Sequence, residues 1–305
     1  MSKLERYASI IFLVFALLIR FPFDYFLFDI AQSFAVQIAL LYLIAALLVA
    51  FWKKWWWVAS SITSSLIVAT LFIHWLWPNY PNVAKGTTTF KVAHFNVWKK
   101  TTQHQEVIRV AKNTQADVIS FEEINGRWWE ALLEGLQEPY PYWHVITRED
   151  NFGLAVFSKY PLKSTEVRHF SDVPSITTTL EMPFGEVYWI SSHVLPPKST
   201  EWYHKRNKDL NSIATYMATQ KGYKLAVGDY NTVSWAPVIR KFKKTANLKD
   251  ARRTFSPSWP TYNRFLGVPI DHIFHSPSLQ CIGFKTTEKT ASDHWGIVAT
   301  FVPLN

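Results

Sequence analysis

Two long stretches of apolar residues dominate the first quarter of the chain. Residues 34–52 read FAVQIALLYLIAALLVAFW and residues 55–77 read WWWVASSITSSLIVATLFIHWLW, and neither contains Lys, Arg, Asp or Glu. Each is close to the roughly 20 residues that a helix needs to cross a bilayer. Tryptophans flank the second stretch, which suits side chains at the level of the lipid headgroups. The pattern predicts two transmembrane helices rather than two buried helices of a globular core.

A shorter apolar run precedes them and predicts a first transmembrane helix at about residues 8–27. Arg20 lies within this run, where its long side chain can reach a membrane interface. A cleaved signal peptide is the alternative, because Lys3 and Arg6 precede a short apolar core. The sequence before Phe34 has no convincing small-x-small cleavage site. We therefore expect residues 1–83 to form a membrane anchor of about three helices with a short linker.

The charged residues between these helices predict their orientation. Only Lys53 and Lys54 separate the second helix from the third, and basic residues beside a span remain in the cytoplasm. The basic N-terminus then lies on the same side, and the loop with Asp24 and Asp29 lies on the opposite side. The expected product is a multi-pass protein of the cell (inner) membrane. Everything after Pro78 is extracytoplasmic in this arrangement.

Beyond the linker, short apolar runs alternate with amphipathic stretches. The apolar spacing predicts helices at residues 104–114, 127–136, 200–220 and 233–244. Runs rich in β-branched and aromatic residues predict strands at 90–97, 117–121, 153–158, 187–193, 223–229, 270–274 and 296–301. This mixture predicts an α/β (α+β) domain with a mostly buried sheet over residues 84–305.

The charge is distributed unevenly between these two parts. The whole chain has a net charge of +9, but residues 1–83 hold five basic and three acidic side chains. The remaining residues hold 27 basic and 20 acidic side chains, a net charge of +7. A basic domain attracts phosphate-bearing partners. Cys281 is the only cysteine, which excludes a disulfide scaffold.

Polar residues follow several of the predicted strands at their carboxyl ends. They are Asn96, Glu122, Glu123, His193, Asp229, Asn231 and the Ser292-Asp293-His294 triplet. Loops at one edge of a sheet commonly form the sites of α/β folds. An oxygen-rich set of ligands suits Mg²⁺ or Mn²⁺, and a histidine beside a carboxylate can handle the protons of a water. GxSxG, GxxxxGK[ST] and GxGxxG are absent, so metal-assisted phosphoester hydrolysis is favoured.

Seven short segments of this domain together resemble one known family. They are HFNVW (94–98), DVISFEE (117–123), GLAVFSKYPL (153–162), SSH (191–193), GDYN (228–231), IDHIF (270–274) and SDH (292–294). They occur in the order seen in the endonuclease/exonuclease/phosphatase (DNase I-like) family, and the chain is similar to its bacterial branch with N-terminal membrane helices. The resemblance covers about residues 88–303. It implies a four-layer α/β sandwich of two face-to-face sheets with helices outside.

The resemblance also implies a role for each matching residue. Glu123 is the principal metal ligand, and Asn96 and Asp293 assist it. Asp271 pairs with His294, which then manages protons around the attacking water. Asp229 orients or activates that water, Asn231 holds the phosphate and His193 donates to a phosphate oxygen.

Other candidates carry less support from the sequence. The family usually has Gln before the metal-binding Glu, whereas this chain has Glu122, which we expect to face solvent; the alternative is that it strengthens cation binding. His272 follows Asp271 on a strand, so it is expected to face the opposite side. His94 has no supporting pattern and is interpreted as a surface or core residue. Asn151 is either a turn residue or a loop residue that reaches the site.

These observations predict a membrane-anchored hydrolase of phosphoester bonds that depends on Mg²⁺ or Mn²⁺. Its substrate is a nucleic acid, a phospholipid headgroup or a small phosphodiester, and the sequence indicates no obligate protein partner. The alternative is a non-catalytic membrane module that binds phosphorylated ligands through its basic face. Turnover of a phosphoester distinguishes the two.

Overall fold

The computed structural model describes residues 3–21, 23–84 and 86–304. The α-helices of this part are α1 (Lys3–Arg20), α2 (Phe26–Ser33), α3 (Ala35–Phe51), α4 (Trp55–Ala69), α5 (His104–Asn113), α6 (Gly126–Leu136), α7 (Thr200–Thr219) and α8 (Pro237–Ala246). The strands are β1 (Phe90–Asn96), β2 (Val118–Glu122), β3 (Tyr142–Ile146), β4 (Leu154–Ser158), β5 (Leu162–His169), β6 (Pro174–Met182), β7 (Gly185–Ser192), β8 (Tyr223–Asp229), β9 (Lys249–Asp250), β10 (Asp271–His275), β11 (Leu279–Thr286) and β12 (Ile297–Pro303).

The strands form two six-stranded sheets that pack face to face. Their orders are β11-β12-β1-β2-β4-β3 and β5-β6-β7-β8-β10-β9. One buried apolar cluster contains Val92 and Val118 of the first sheet together with Val227 and Ile273 of the second. Helices α5 and α6 cover the outer face of the first sheet, and α7 and α8 cover that of the second. The expected four-layer α/β sandwich is confirmed.

The seven predicted strands are all present, with ends shifted by at most two residues. Helix α8 begins at Pro237 rather than at residue 233, because proline fits the first turn of a helix but not its interior. Five further strands were not predicted, namely β3, β5, β6, β9 and β11. Most of β5 is polar and partly exposed at a sheet edge, so it lacks the apolar alternation that identifies a strand.

The N-terminal helices differ from the expected bounds. The predicted helix 8–27 is divided into α1 and α2, and the sequence has Pro22 between them, a residue that cannot continue a helical hydrogen-bond ladder. The predicted helix 55–77 ends at Ala69 and is followed by a short 3₁₀ turn at Ile73–Trp75. The Trp75 carbonyl accepts a hydrogen bond from Phe255 N at 3.0 Å. The segment after Ala69 therefore contacts the α/β domain instead of continuing helix α4.

No single helix of the described residues is both long and apolar enough to cross a membrane by itself. Helices α2 and α3 meet that criterion only as a pair, and they are bent by 67° at their junction. Helix α4 is apolar but shorter.

The N-terminal helices pack on the outer helical layer of the second sheet. Ile19, Ala35 and Phe72 share one buried apolar cluster with Trp235 and Ile239 of the α/β domain. The Phe72 and Trp235 rings lie 6.1 Å apart. Residues 1–83 are thus in direct contact with the domain rather than connected to it only by a linker.

Candidate active site

Strand alternation places the polar residues at one end of the space between the sheets. In β1, Val92 belongs to the intersheet core, so His94 and Asn96 face the same side two and four residues later. The same alternation relates Val118 to Glu122 in β2 and Val227 to Asp229 in β8. Register pairs Asn96 with Glu122 and Asp271 with Asp229. The apolar core therefore ends in a cluster of polar side chains contributed by both sheets.

A buried carboxylate between two histidines forms the centre of this cluster. His294 Nδ1 lies 2.9 Å from Asp271 Oδ2, which is the pairing that the family resemblance implies. His94 Nε2 lies 3.2 Å from the other oxygen, Asp271 Oδ1. Burial alone would lower the pKa of His294, but the Asp271 carboxylate outweighs it and raises this pKa to about 10. Despite its burial, Asp271 has a pKa well below its usual value, because His294 and His94 favour its charged form.

Glu122 does not face solvent, contrary to expectation. Its side chain is fully buried at the end of β2, and both carboxyl oxygens lie 3.1 Å from the Asp229 N–H that donates to them. Burial and the charges of Asp229 and Asp271 raise its pKa well above the usual value. Glu122 therefore holds the backbone of Asp229 from the opposite sheet, as a neutral amide side chain also would. The expectation was wrong because the even positions of β2 face the second sheet.

The three residues expected to hold a metal lie near one another. Glu123 Oε1 lies 3.4 Å from Asn96 Nδ2, and the Lys99 N–H donates to Glu123 Oε2 at 3.1 Å. Asp293 Oδ2 accepts a hydrogen bond from Trp259 Nε1 at 3.2 Å, whereas its buried Oδ1 has no hydrogen-bond partner. Burial and the Asp293 charge raise the pKa of Glu123. A carboxylate that burial makes hard to ionise, beside an unpaired carboxylate oxygen and an amide, fits a divalent cation.

Asp229, Asn231 and His193 form the opposite side of the cleft. Asp229 Oδ1 accepts the Asn231 N–H at 2.8 Å, and its Oδ2 lies 3.8 Å from His193 Nε2 and 3.9 Å from His294 Nε2. Burial and the charge of Asp271 raise the pKa of Asp229 well above its usual value. Burial and the His294 charge lower the pKa of His193 to about 3, which keeps this ring neutral.

Two residues of this site have an unusual backbone conformation. Glu123 has φ = 65° and Asn231 has φ = 49°, in the left-handed region that side chains other than Gly, Asn and Asp rarely adopt. For a glutamate this conformation costs about 1 kcal/mol or more. This backbone conformation directs the Glu123 side chain into the cleft, although the preceding residue, Glu122, is buried between the sheets.

Two other groups of three side chains are close enough to share an ion. Their ligand atoms lie within 4.8 Å of one another, and the groups are Glu122 with His193 and Asp229, and Asp229 with Asp271 and His294. In the second group, Asp271 and His294 already satisfy each other through a hydrogen bond. In the first, Glu122 is occupied by the Asp229 N–H. In the set of Asn96, Glu123 and Asp293, the buried Asp293 Oδ1 is a carboxylate oxygen without a hydrogen-bond partner.

The structure adds residues that sequence reasoning did not assign to the site. His94 was interpreted as a surface or core residue, but it contacts Asp271 directly. Asn151 lines the cleft next to Phe152, whose ring lies 5.1 Å from that of His193. Only the position of His94 two residues before Asn96 on the same strand face could have indicated its role.

Several other candidates lie elsewhere. His272 faces away from Asp271 as expected, with Nε2 at 2.8 Å from Thr232 O and its ring stacked on Phe274. Among the basic residues of the α/β domain, Arg206 and Arg252 are buried and bound to other groups of the protein. Lys205 pairs with Asp172 at 2.9 Å. These three residues serve the fold or the protein surface.

Comparison with known proteins gives one family. The model described as "Endonuclease/Exonuclease/phosphatase family" matches residues 93–294. No curated protein matches the chain in sequence. The match covers most of the α/β domain and every residue of the polar cluster.

Solved structures similar to this chain share its fold at low identity. An endonuclease/exonuclease/phosphatase from Beutenbergia cavernae has a TM-score of 0.61 at 15% identity, covering 71% of this chain and 72% of its own. D. rerio TDP2 complexed with a single-strand DNA product has a TM-score of 0.59 at 15% identity, covering 70% and 99%. Beta toxin from Staphylococcus aureus has a TM-score of 0.54 at 16% identity, covering 69% and 99%.

Proposed function

We propose, since this chain belongs to the endonuclease/exonuclease/phosphatase family, that it is a divalent-metal-dependent phosphodiesterase or phosphatase anchored in a membrane. The observation that carries the hydrolytic part is the joining of Asp271, His294 and Asp229 at one end of the intersheet core. A buried carboxylate that fixes a histidine beside a second carboxylate is a typical arrangement for moving protons during hydrolysis.

The protein groups act on the two sides of the scissile phosphate. Asp271 orients His294 through Nδ1, so Nε2 faces the cleft. The positively charged His294 ring then stabilises the negative charge that develops on the phosphate. Asp229, whose pKa is raised, accepts the proton of the attacking water. Neutral His193 donates an N–H to a phosphate oxygen, and Asn231 holds another oxygen through its amide.

Glu123, Asn96 and Asp293 would hold Mg²⁺ or Mn²⁺, which neutralises charge on the phosphate when it is bound. A chelator is expected to abolish turnover, and Mg²⁺ is expected to restore it. Substitution Glu123→Gln keeps the size of the side chain but removes its charge, so we expect a higher Mg²⁺ requirement as well as a slower reaction.

The test is hydrolysis of bis(4-nitrophenyl) phosphate by the full chain in lipid nanodiscs. His294→Ala is expected to reduce kcat by about 10²- to 10³-fold, the usual cost of removing a group that stabilises the developing charge. The matched control is His169→Ala, which removes an exposed histidine at the end of β5 and is expected to leave turnover unchanged. Equal loss in both variants, or full activity in excess EDTA, contradicts the proposal. Binding of phosphate esters without turnover supports the non-catalytic alternative.

The membrane part of the proposal is supported by unpaired apolar surface on the N-terminal helices. Ile11 of α1 and Leu41 and Leu47 of α3 each expose more than 60% of their surface. Helix α3, with 17 residues, is about 26 Å long, close to the roughly 30 Å of a hydrocarbon core. Lys54 pairs with Glu5 of α1, so the basic turn and the N-terminus lie at one end of the bundle.

We place the chain in the cell (inner) membrane with the α/β domain on the extracytoplasmic side. At the opposite end of the bundle, Arg20 donates a 2.8 Å hydrogen bond to Thr70, and the nearby Ile19 and Phe72 share a buried apolar cluster with the α/β domain. Alkaline phosphatase fused to the C-terminus is expected to be active, because it folds only after export. A fluorescent C-terminal fusion of green fluorescent protein together with an inactive phosphatase fusion would contradict this orientation.

A further inference from the structure

The cleft above the polar cluster has an apolar side that the α/β domain does not supply alone. Its volume is 690 Å³, and Ile30, Ser33 and Phe34 of the N-terminal segment line it. They face the same space as Glu123 and Asp229. Residues 30–34 lie outside the 93–294 range that matches the family. This wall is therefore an addition of this chain to the family fold.

The bend between α2 and α3 places these side chains at the cleft. The two helices meet at Phe34 with a 67° change of direction, so the end of α2 and the first residue after it both face the α/β domain. Gln32 O accepts a hydrogen bond from Trp235 Nε1 at 2.8 Å. Gln37 Nε2 donates to Gly267 O at 2.8 Å. The bend is held from both sides, so its position relative to the cleft is defined.

A buried ion pair connects α2 to the loop that contains Asn231. Arg206 of α7 donates to both carboxyl oxygens of Asp29, at 2.9 and 3.0 Å, and also to Asn231 O at 3.0 Å. Asp29 immediately precedes Ile30. The group that fixes the wall therefore also fixes the backbone of a residue proposed to hold phosphate.

The remaining lining of the cleft is poor in Lys and Arg side chains. Among the lining residues of the described chain, Lys198 is the single Lys or Arg. Trp202, Trp259 and Phe152 add aromatic surface. The nearby turn held by Gln37 exposes Phe265 almost completely, at 90%. A polyanion gains its affinity from many cationic contacts, whereas an apolar group gains it from surfaces of this kind.

From these contacts we propose that Ile30 and Phe34 form a specificity wall that binds an apolar substituent of the scissile phosphate. This inference rests on the hydrolytic function proposed above and narrows its substrate to phosphodiesters with an alkyl or acyl chain next to the phosphate. The polar cluster binds the phosphate, and the wall formed by Ile30 and Phe34 binds the alkyl or acyl group of the substrate. A nucleic acid is the competing substrate and is an outcome of the test.

The experiment measures kcat/KM of the full chain in nanodiscs for methyl, butyl and hexyl 4-nitrophenyl phosphate. All three carry one negative charge and the same leaving group, so they differ only in the apolar chain. Burial of a methylene contributes enough for a gain of about 2- to 4-fold. We therefore expect kcat/KM to rise about tenfold or more from methyl to butyl. Ile30→Ser and Phe34→Ser are expected to flatten this rise, and Phe34→Leu is expected to keep most of it.

Leu27→Ser is the matched control. Leu27 lies on the same helix but is 54% exposed and does not line the cleft, so this variant is expected to keep the wild-type rise. It also corrects for partition of longer esters into lipid, which affects all variants equally. Turnover that does not depend on chain length, or the same slope in wild type and Phe34→Ser, overturns the wall while the hydrolytic function remains. Faster cleavage of single-stranded DNA than of any alkyl ester also overturns it. Absence of all turnover contradicts both proposals.

Discussion

The ion pair between Asp29 and Arg206 gives the sharpest prediction about how the N-terminal helices are held. The Arg206 side chain is completely inaccessible to solvent, and Asp29 supplies two of its hydrogen bonds. Substitution Asp29→Asn leaves a buried cation whose remaining acceptors are neutral, Asn207 Oδ1 and Asn231 O. Removing one partner of a buried pair costs about 3–5 kcal/mol. Because two neutral acceptors remain, we expect about 3 kcal/mol.

The α/β domain can remain folded while α2 detaches, so the cost is expected in the docking of α2. A loss of about 3 kcal/mol corresponds to an increase of roughly 100-fold in the detached population. Hydrogen exchange of the full chain in nanodiscs measures this directly. Peptides from α2 are expected to lose about 100-fold of their protection, whereas peptides from α5 in the opposite outer layer are expected to keep theirs.

An ion pair of the adjacent residue in α7, Lys205, provides the control. Lys205 and Asp172 are also 2.9 Å apart, but Asp172 is 62% exposed, and such pairs contribute about 0–1 kcal/mol. Asp172→Asn is therefore expected to leave exchange nearly unchanged. The double variant Asp29→Leu with Arg206→Met removes both charges and is expected to recover most of the docking free energy. If Asp29→Asn has no larger effect than Asp172→Asn, the burial argument is refuted.

Three further predictions concern single buried positions. Glu122→Gln is expected to change melting temperature and turnover little, because the amide keeps the size of the side chain and its oxygen can still accept the Asp229 N–H; a loss of stability above 2 kcal/mol would show that the carboxyl group is needed. Burial raises the pKa of Asp209 to about 6, so its ionisation destabilises the folded state as pH rises from about 4 to above 6. Asp209→Asn is therefore expected to stabilise the folded protein by up to about 3 kcal/mol at pH 7.5 and by almost nothing at pH 4. Thermal unfolding at the two pH values measures this difference. The same gain at both pH values would contradict the prediction. Gly228→Ala places a Cβ 2.1 Å from Ser192 O at a residue with φ = 152°. We therefore expect the free energy of unfolding to fall by roughly 3 kcal/mol or more and turnover to be low. Near-native stability and turnover would contradict this.

The sequence predicted the α/β domain well because its central strands carry strong local signals. The runs that became β1, β2 and β8 are apolar and end in polar residues, so both the strands and the edge with the site follow from them. Strand β5 is mostly polar, and β11 contains a bulge between Cys281 and Gly283. Local patterns do not identify such strands, which are defined by their neighbours in the sheet.

The part of the site that the sequence did not predict depends on contacts between distant residues. Nothing near Ile30 or Phe34 indicates that these apolar residues line a cleft rather than face lipid. Nothing near Arg206 indicates that it is buried, because Lys205 and Lys208 beside it suggest a solvated basic face. These roles become visible only when α2 is placed against α7.

The ion pair also determines when α2 can dock on the α/β domain during synthesis. Asp29 and Arg206 are 177 residues apart in sequence, and a ribosome needs roughly 10 to 35 s to add that many residues. Helix α2 is made first, and Asp29 cannot pair with Arg206 until α7 has been released. The nascent chain therefore has neither a walled cleft nor a fixed Asn231 loop until α7 has been made.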